Sequence, residues 1–98
     1  RLRVSVNNKL EDSLVSCNYP QLEVAQKIST NIRIFESYAY QIALLISGKS
    51  DIALLPSKPI THGLDLLIRE AGGLSYIKNN IFIASNHQIQ EKLQKSLF

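Results

Sequence analysis

The sequence is poor in several residues whose scarcity narrows the kind of protein it can be. Its single cysteine, Cys17, cannot form an internal disulfide, so the chain lacks a disulfide framework of the extracellular type and suits a reducing compartment. No run of apolar residues approaches the roughly 18 needed to span a bilayer, and Arg1-Leu2-Arg3 is too polar for the start of a signal peptide. We therefore expect a cytoplasmic protein that does not insert into a membrane.

The sequence also lacks long runs of one charge. Eleven Lys and Arg face eight Asp and Glu, for a net charge of +3, and the basic residues are scattered. The tyrosines show no pattern with them that would serve base stacking, so we expect no nucleic-acid partner. Methionine is absent as well, so we expect a processed chain or a part of a longer protein.

Hydrophobic residues make up 45% of the 98 residues and charged residues 19%, a composition typical of one folded domain. Alternation and β-branching predict short strands at Leu2–Val6 and Ile32–Phe35, and apolar runs predict strands at Leu14–Cys17 and at Asp51–Leu55, the second of them buried on both faces. Tyr76–Ile77 and Ile81–Ala84 are two further predicted strands, with Lys78-Asn79-Asn80 as a tight connection between them. Helical spacing predicts helices between them, which are Leu22–Ile28, Ser37–Ser47, one that starts near Thr61 and ends at Gly72-Gly73, and one after Asn86. Helices that alternate with strands favour an α/β layered fold.

Finer predictions concern single positions. Ser37 is a candidate N-cap, and Asn18 is a candidate for left-handed backbone. The predicted apolar stripes are Ala39, Ile42, Ala43 and Ile46 in one helix and Leu64, Leu67 and Ile68 in the next.

Few residues suggest chemistry by themselves. Most of the eight acids fit solvated or capping positions, and only Glu36 and Asp51 fall at strand ends, where sites tend to lie. A triad of Ser37, His62 and Asp51 lacks the glycines of a nucleophile elbow, so we set it aside. His62 and His87 have no partner at metal-ligand spacing, and Cys17 fits a small buried apolar residue better than a nucleophile.

Several motifs, in order, resemble the C-terminal half of the inositol monophosphatase family. The most specific of them is Ile68-Arg69-Glu70-Ala71-Gly72-Gly73. Leu14–Pro20 is similar to the family's "TGFP"-like segment, with Asn18 where Gly is usual. The positions Ser37, Ala39, Gly48 and Asp51 are similar to the family's "GSAA…G…D" helix and the strand after it. Ile83–Asn86 is similar to the family's closing "AAN" strand end.

The resemblance implies an alternating α and β layered fold and magnesium-dependent phosphomonoesterase chemistry. It also implies a loss, because the family's glutamate site and "DPIDGT"-like loop, which hold most of the metal, have no counterpart in these residues. Thr61 stands where a further metal-binding Asp is expected, and a hydroxyl does not replace a carboxylate beside a divalent cation. By family position, Glu36, Ser37 and Tyr38 are the remaining substrate-contacting residues, with Glu36 in place of Gly and Tyr38 in place of Ala.

Three hypotheses about function arise from the resemblance. The leading one is a single partial domain over residues 1–98, inactive alone, without a cofactor of its own. A second is one half of a split phosphatase that is completed by an N-terminal partner chain. A third is a non-catalytic interaction module, for instance a homo-oligomer formed through Leu2–Val6 or the last helix.

Overall fold

A computed structural model describes residues 2–57 and 61–97 and, in the second range, the side chains of 63–95. The strands are β1 (Val15–Cys17), β2 (Ile32–Ile34), β3 (Ile52–Pro56), β4 (Gly73–Lys78) and β5 (Ile81–Asn86). The helices are α1 (Leu22–Ile28), α2 (Tyr38–Ile46), α3 (Thr61–Glu70) and α4 (His87–Leu97), and Leu10–Asp12 and Tyr19–Gln21 form short 3₁₀ turns.

The strands form one mixed sheet in the order β2-β1-β3-β5-β4. β1 lies parallel to both β2 and β3, and Val15 is opposite Ile32 on one side and Ile52 on the other. β5 runs antiparallel to β3 and to β4. The carboxyl ends of β1, β2 and β3 therefore meet at one edge of the sheet, and this geometry positions the candidate site.

Helices cover both faces of the sheet, which confirms the α/β layered prediction. One apolar cluster joins α1 and α4 to a sheet face, and its buried members are Val15, Cys17, Ala25, Ile28, Ile52, Leu54, Ile83, Ile89 and Leu93. The other joins α2 and α3 to the opposite face, and its buried members are Ile42, Leu45, Ile46, Ala53, Leu55, Ile68, Ala71, Phe82 and Ala84. Adjacent residues of β3 alternate between the two clusters, as expected for a strand buried on both faces.

Local signals explain where several elements begin and end. The Ser37 hydroxyl accepts a hydrogen bond from the Tyr40 N–H at 3.2 Å, so the predicted N-cap of α2 is confirmed. Gly72 adopts φ +90° two residues after the last residue of α3, Glu70, which confirms that this glycine ends the helix. Asn79 and Asn80 both adopt positive φ, +52° and +64°, as a two-residue hairpin turn between β4 and β5 requires.

The N-terminal segment differs from its prediction, because residues 2–6 form no strand. The segment is instead held by groups at the sheet edge opposite the carboxyl ends of β1, β2 and β3. Val4 N–H donates to the Ala71 carbonyl at 2.9 Å, and the Asn86 side-chain amide donates to the Ser5 carbonyl at 3.0 Å. Asn86 also caps α4, because its Oδ1 accepts from Ile89 N–H at 2.8 Å. Alternation predicts an extended chain here but does not show whether a partner strand is beside it.

Two helix faces also differ from their predictions. In α2 the buried positions are Gln41, Ile42, Leu45 and Ile46, whereas Ala39 and Ala43 are exposed. In α3 Ile68 is buried and Leu64 packs partly against the core, but Leu67 remains 45% exposed. Most residues of α2 are apolar, so periodicity alone does not distinguish one stripe from another. No helix among the described residues is both long and apolar enough to cross a membrane.

Candidate functional site

A pocket of about 460 Å3 lies where the three parallel strands end. It is lined by residues after β1, at the end of β2 and beyond, and at the end of β3, which are Asn18, Tyr19, Pro20, Ile34, Phe35, Glu36, Tyr38 and Pro56. The chain leaves β1 toward α1 on one face of the sheet and leaves β2 toward α2 on the other. Such a reversal between neighbouring strands opens a crevice at their carboxyl ends, the usual ligand site of open α/β sheets.

The structure brings together the three residues that the sequence predicts to contact substrate. Glu36 and Tyr38 line the pocket, and Ser37 lies between them as the N-cap of α2. Glu36 is exposed, and Tyr38 is half-buried against the α2–α3 side of the core. The Ser37 hydroxyl is occupied by the Tyr40 N–H, so its role in this structure is to start the helix.

A buried polar network supports the pocket from below. The Asn18 side-chain N–H groups donate to the Phe35 carbonyl at 2.7 Å and to Gln41 Oε1 at 2.8 Å. Gln41 is fully buried, and its own amide donates to Ser16 Oγ at 3.3 Å and to the Leu54 carbonyl at 3.2 Å. These bonds connect the ends of β1 and β2 to α2 and β3, and they give the pocket a fixed base.

Asn18 corrects a prediction, because its backbone is extended, with φ −89° and ψ 163°, and is not left-handed. The residue is needed for its side-chain donors rather than for a special turn. Its Oδ1 is buried and has no partner among the described residues. Sequence reasoning did not find the pair Asn18 and Gln41, and the one available signal was a glutamine inside an apolar helix.

Asp51 lies at the other end of the sheet from Glu36, since it precedes β3 whereas Glu36 follows the parallel strand β2. The five residues of β3 span roughly 16 Å. The Asp51 carboxylate accepts hydrogen bonds from Ser5 Oγ at 2.5 Å and from Leu14 N–H at 2.8 Å. It therefore anchors the N-terminal segment, and the set-aside triad of Ser37, His62 and Asp51 is not assembled around it. The His62 side chain lies outside the described residues.

Three other candidate groups do not line the pocket. The Ser75 hydroxyl donates to Asp65, and together with Arg69 at 2.9 Å it holds the pKa of the Asp65 carboxyl below its usual value. Burial raises the pKa of the Cys17 thiol, which is 0% exposed, so the prediction of a small buried residue is confirmed. Glu91 pairs with Lys95 across one helical turn at 3.8 Å, as expected for a solvated face.

The donor set does not fit the magnesium site that the family resemblance implies. A hard divalent cation takes several oxygen ligands, usually converging carboxylates. Among the described residues no group of three or more His, Cys, Asp or Glu side chains comes together, and Glu36 is the one acid that lines the pocket. Thr61 is the first residue of α3, and its side chain lies outside the described residues, as do residues 58–60 entirely.

The architecture is similar to solved structures of known proteins. The extragenic suppressor protein SuhB of Bartonella henselae matches with 28% identity and a TM-score of 0.81 over 99% of this chain and 47% of that chain. An inositol monophosphatase of Thermotoga maritima matches with 28% identity and a TM-score of 0.78 over 99% of this chain and 44% of that chain. The resemblance to the inositol monophosphatase family is confirmed.

An inositol monophosphatase from Anabaena, 21% identical with a TM-score of 0.77, shares the fold over 98% of this chain and 47% of its own length. The chain therefore spans slightly less than half of each of these proteins, which agrees with the prediction that it corresponds to the C-terminal portion of an inositol monophosphatase. No protein-family model matches the sequence, and no curated protein sequence matches it.

Proposed function

We propose that this chain forms the alcohol-binding side of an inositol monophosphatase-like phosphatase and does not hydrolyse phosphate monoesters by itself. One observation carries the proposal: the pocket at the strand ends is lined by two of the three predicted substrate-contacting residues, Glu36 and Tyr38, yet Glu36 is the only carboxylate among the described residues that lines it. One carboxylate is too few to hold the two or more metal ions that activate water and neutralise a phosphate in such enzymes.

The chemistry of the lining supports this division. Rings and apolar side chains form most of the wall, and no Lys, Arg or His among the described residues lines it. A bound phosphate monoester would therefore meet few donors here, whereas the non-phosphate part of the substrate would find apolar surface and hydrogen-bond acceptors. The residues that hold metal and phosphate would therefore come from outside the described part of the chain.

The test is a phosphate-release assay with the purified chain, Mg²⁺ and inositol monophosphate. We expect no release above that of a buffer control, because no described group positions or activates water. Sustained turnover that scales with protein concentration and survives a further purification step would refute the proposal.

A second candidate is one half of a split phosphatase. It is favoured by the partial coverage of the relatives, 44% to 47% of their length, and by two neighbouring leucines on α3, Leu66 and Leu67, which are 61% and 45% exposed. Such leucines would be buried by a second layer of the fold.

To test the second candidate, this chain is mixed with a separately purified N-terminal half of an inositol monophosphatase. Size-exclusion chromatography then shows whether the two chains form a complex. A complex that restores Mg²⁺-dependent phosphate release, and that the exchange Leu66→Glu abolishes, would support it. If the two halves elute separately, the second candidate is rejected. If this chain elutes alone as a dimer, the interaction-module hypothesis is favoured instead.

A further inference from the structure

The pocket at the ends of β1, β2 and β3 offers negative charge and aromatic rings. Glu36 is the one charged side chain among the described residues that line it, and three rings, those of Tyr19, Phe35 and Tyr38, line it as well. The Phe35 ring is held by an edge-on contact with Tyr40, with centroids 5.0 Å apart and planes at 75°. Aromatic faces carry partial negative charge, so rings beside a carboxylate attract an organic cation.

The amide of Asn18 fixes the base of the pocket beneath these groups. Both donated hydrogen bonds of its nitrogen are used, to the Phe35 carbonyl and to Gln41 Oε1, so the amide is fixed in orientation. Its oxygen has no partner among the described residues although the residue is only 6% exposed. That oxygen has essentially no accessible surface, so the amide supports the pocket wall from below and is not itself presented to a ligand.

Two of these groups are the departures from the family pattern around Ser37. The resemblance implies Gly before this serine and Ala after it, and this chain has Glu36 and Tyr38. One exchange adds a carboxylate to the pocket wall and the other adds a ring, and both changes favour positive charge in the ligand.

From this wall we infer that the pocket takes an alcohol that carries an ammonium group, in place of an uncharged polyol. The inference rests on the proposed function, since it names the class of alcohol that the same pocket holds. The Glu36 carboxylate and the rings would face the ammonium group.

The inference is tested by amide NMR titrations with two probes, choline and the dimethylbutanol isomer in which a carbon atom replaces the nitrogen of choline. The two probes differ in charge and hardly in shape. We expect choline to shift the amide signals of Phe35, Glu36 and Tyr38 with an affinity at least about fivefold above that of dimethylbutanol, the factor that one charge pair at contact distance contributes in water. The exchange Glu36→Gln should reduce the choline affinity by about the same factor.

Glu70→Gln is the matched control. It removes the same charge from an exposed position at the end of α3, next to the start of β4 and at the opposite edge of the sheet. Tyr38→Phe, which keeps the ring, should also retain choline binding. Equal loss in the Glu36→Gln and Glu70→Gln variants would overturn the inference, because the effect would then come from net charge alone.

Myo-inositol separates this inference from the proposed function. If myo-inositol shifts the same amides as strongly as choline or more strongly, the ammonium inference fails and the alcohol-binding role stands. If none of choline, dimethylbutanol and myo-inositol shifts the amide signals of Phe35, Glu36 and Tyr38, the alcohol-binding role fails together with the inference.

Discussion

The exchange Gln41→Met should destabilise the chain far more than its conservative volume suggests. Gln41 accepts one hydrogen bond, from Asn18, and donates two, to Ser16 Oγ and to the Leu54 carbonyl, and it is fully buried. Methionine has nearly the same length and shape, so the cavity contribution should be small. At roughly 1 kcal/mol for each of the three lost bonds, the free energy of unfolding should fall by about 3 kcal/mol.

That loss is a large share of the roughly 5–15 kcal/mol expected for a domain of this size. Urea unfolding followed by circular dichroism measures it, and Gln26→Met on the exposed side of α1 is the matched control, with an expected change within about 0.5 kcal/mol. If Gln41→Met and Gln26→Met have the same unfolding midpoint, the buried network contributes nothing net and our account of the pocket base is wrong.

Three further predictions concern packing, charge and reactivity. Gly73→Ala should lower the free energy of unfolding by about 1–3 kcal/mol, because the added Cβ would lie 2.8 Å from the Ser85 carbonyl oxygen. Gly63→Ala should instead stabilise α3 by about 0.5–1 kcal/mol, because its added Cβ would have no atom within 4 Å. Urea unfolding of both variants shows whether their free energies of unfolding change in opposite directions. The pKa of Asp65 is lowered in the folded state, chiefly by the Ser75 hydroxyl that donates to its carboxylate. The contribution of this carboxylate to stability should therefore be present above its ordinary pKa of 3.8 and be lost as the pH falls through the lowered value. Unfolding measured as a function of pH should show this loss in the parent chain and not in Asp65→Asn. Cys17 should react with a thiol reagent only at the rate of chain opening, because its side chain is 0% exposed, and rapid labelling of the folded chain would contradict the buried position.

Features with a local physical cause were predictable from the sequence. The cap at Ser37, the end of α3 at Gly72 and the hairpin at Asn79 and Asn80 each depend on a few neighbouring residues and on backbone conformation. Burial of β3 on both faces was predictable for a similar reason, since an uninterrupted apolar run between turn residues is typical of a strand that is covered on both sides.

Features that depend on residues far apart in the sequence were not predictable in this way. The partner of Asn18 is 23 positions away and that of Ser5 is 46 positions away, and no periodic pattern links such pairs. Glu36 and Asp51 both follow the rule that sites lie at strand ends, but only the parallel arrangement of β2 and β3 shows that they occupy opposite edges of the sheet. The resemblance predicted Glu36, Ser37 and Tyr38 as a group, and in the structure Glu36 and Tyr38 line one pocket while Ser37 caps the helix between them; contact of these residues with a substrate stays a prediction.

The central claim is that the pocket side of this chain binds the alcohol and holds no metal ion. Mn²⁺ is a close substitute for Mg²⁺ at oxygen sites. Its paramagnetic broadening of amide NMR signals therefore tests most directly whether the pocket side holds a metal ion. We predict that Mn²⁺ equimolar to the chain leaves the amide signals of Phe35, Glu36 and Tyr38 no broader than those of exposed acidic residues elsewhere, such as Glu70. Selective, saturable broadening of the three pocket signals would show a metal site in this chain and contradict the account.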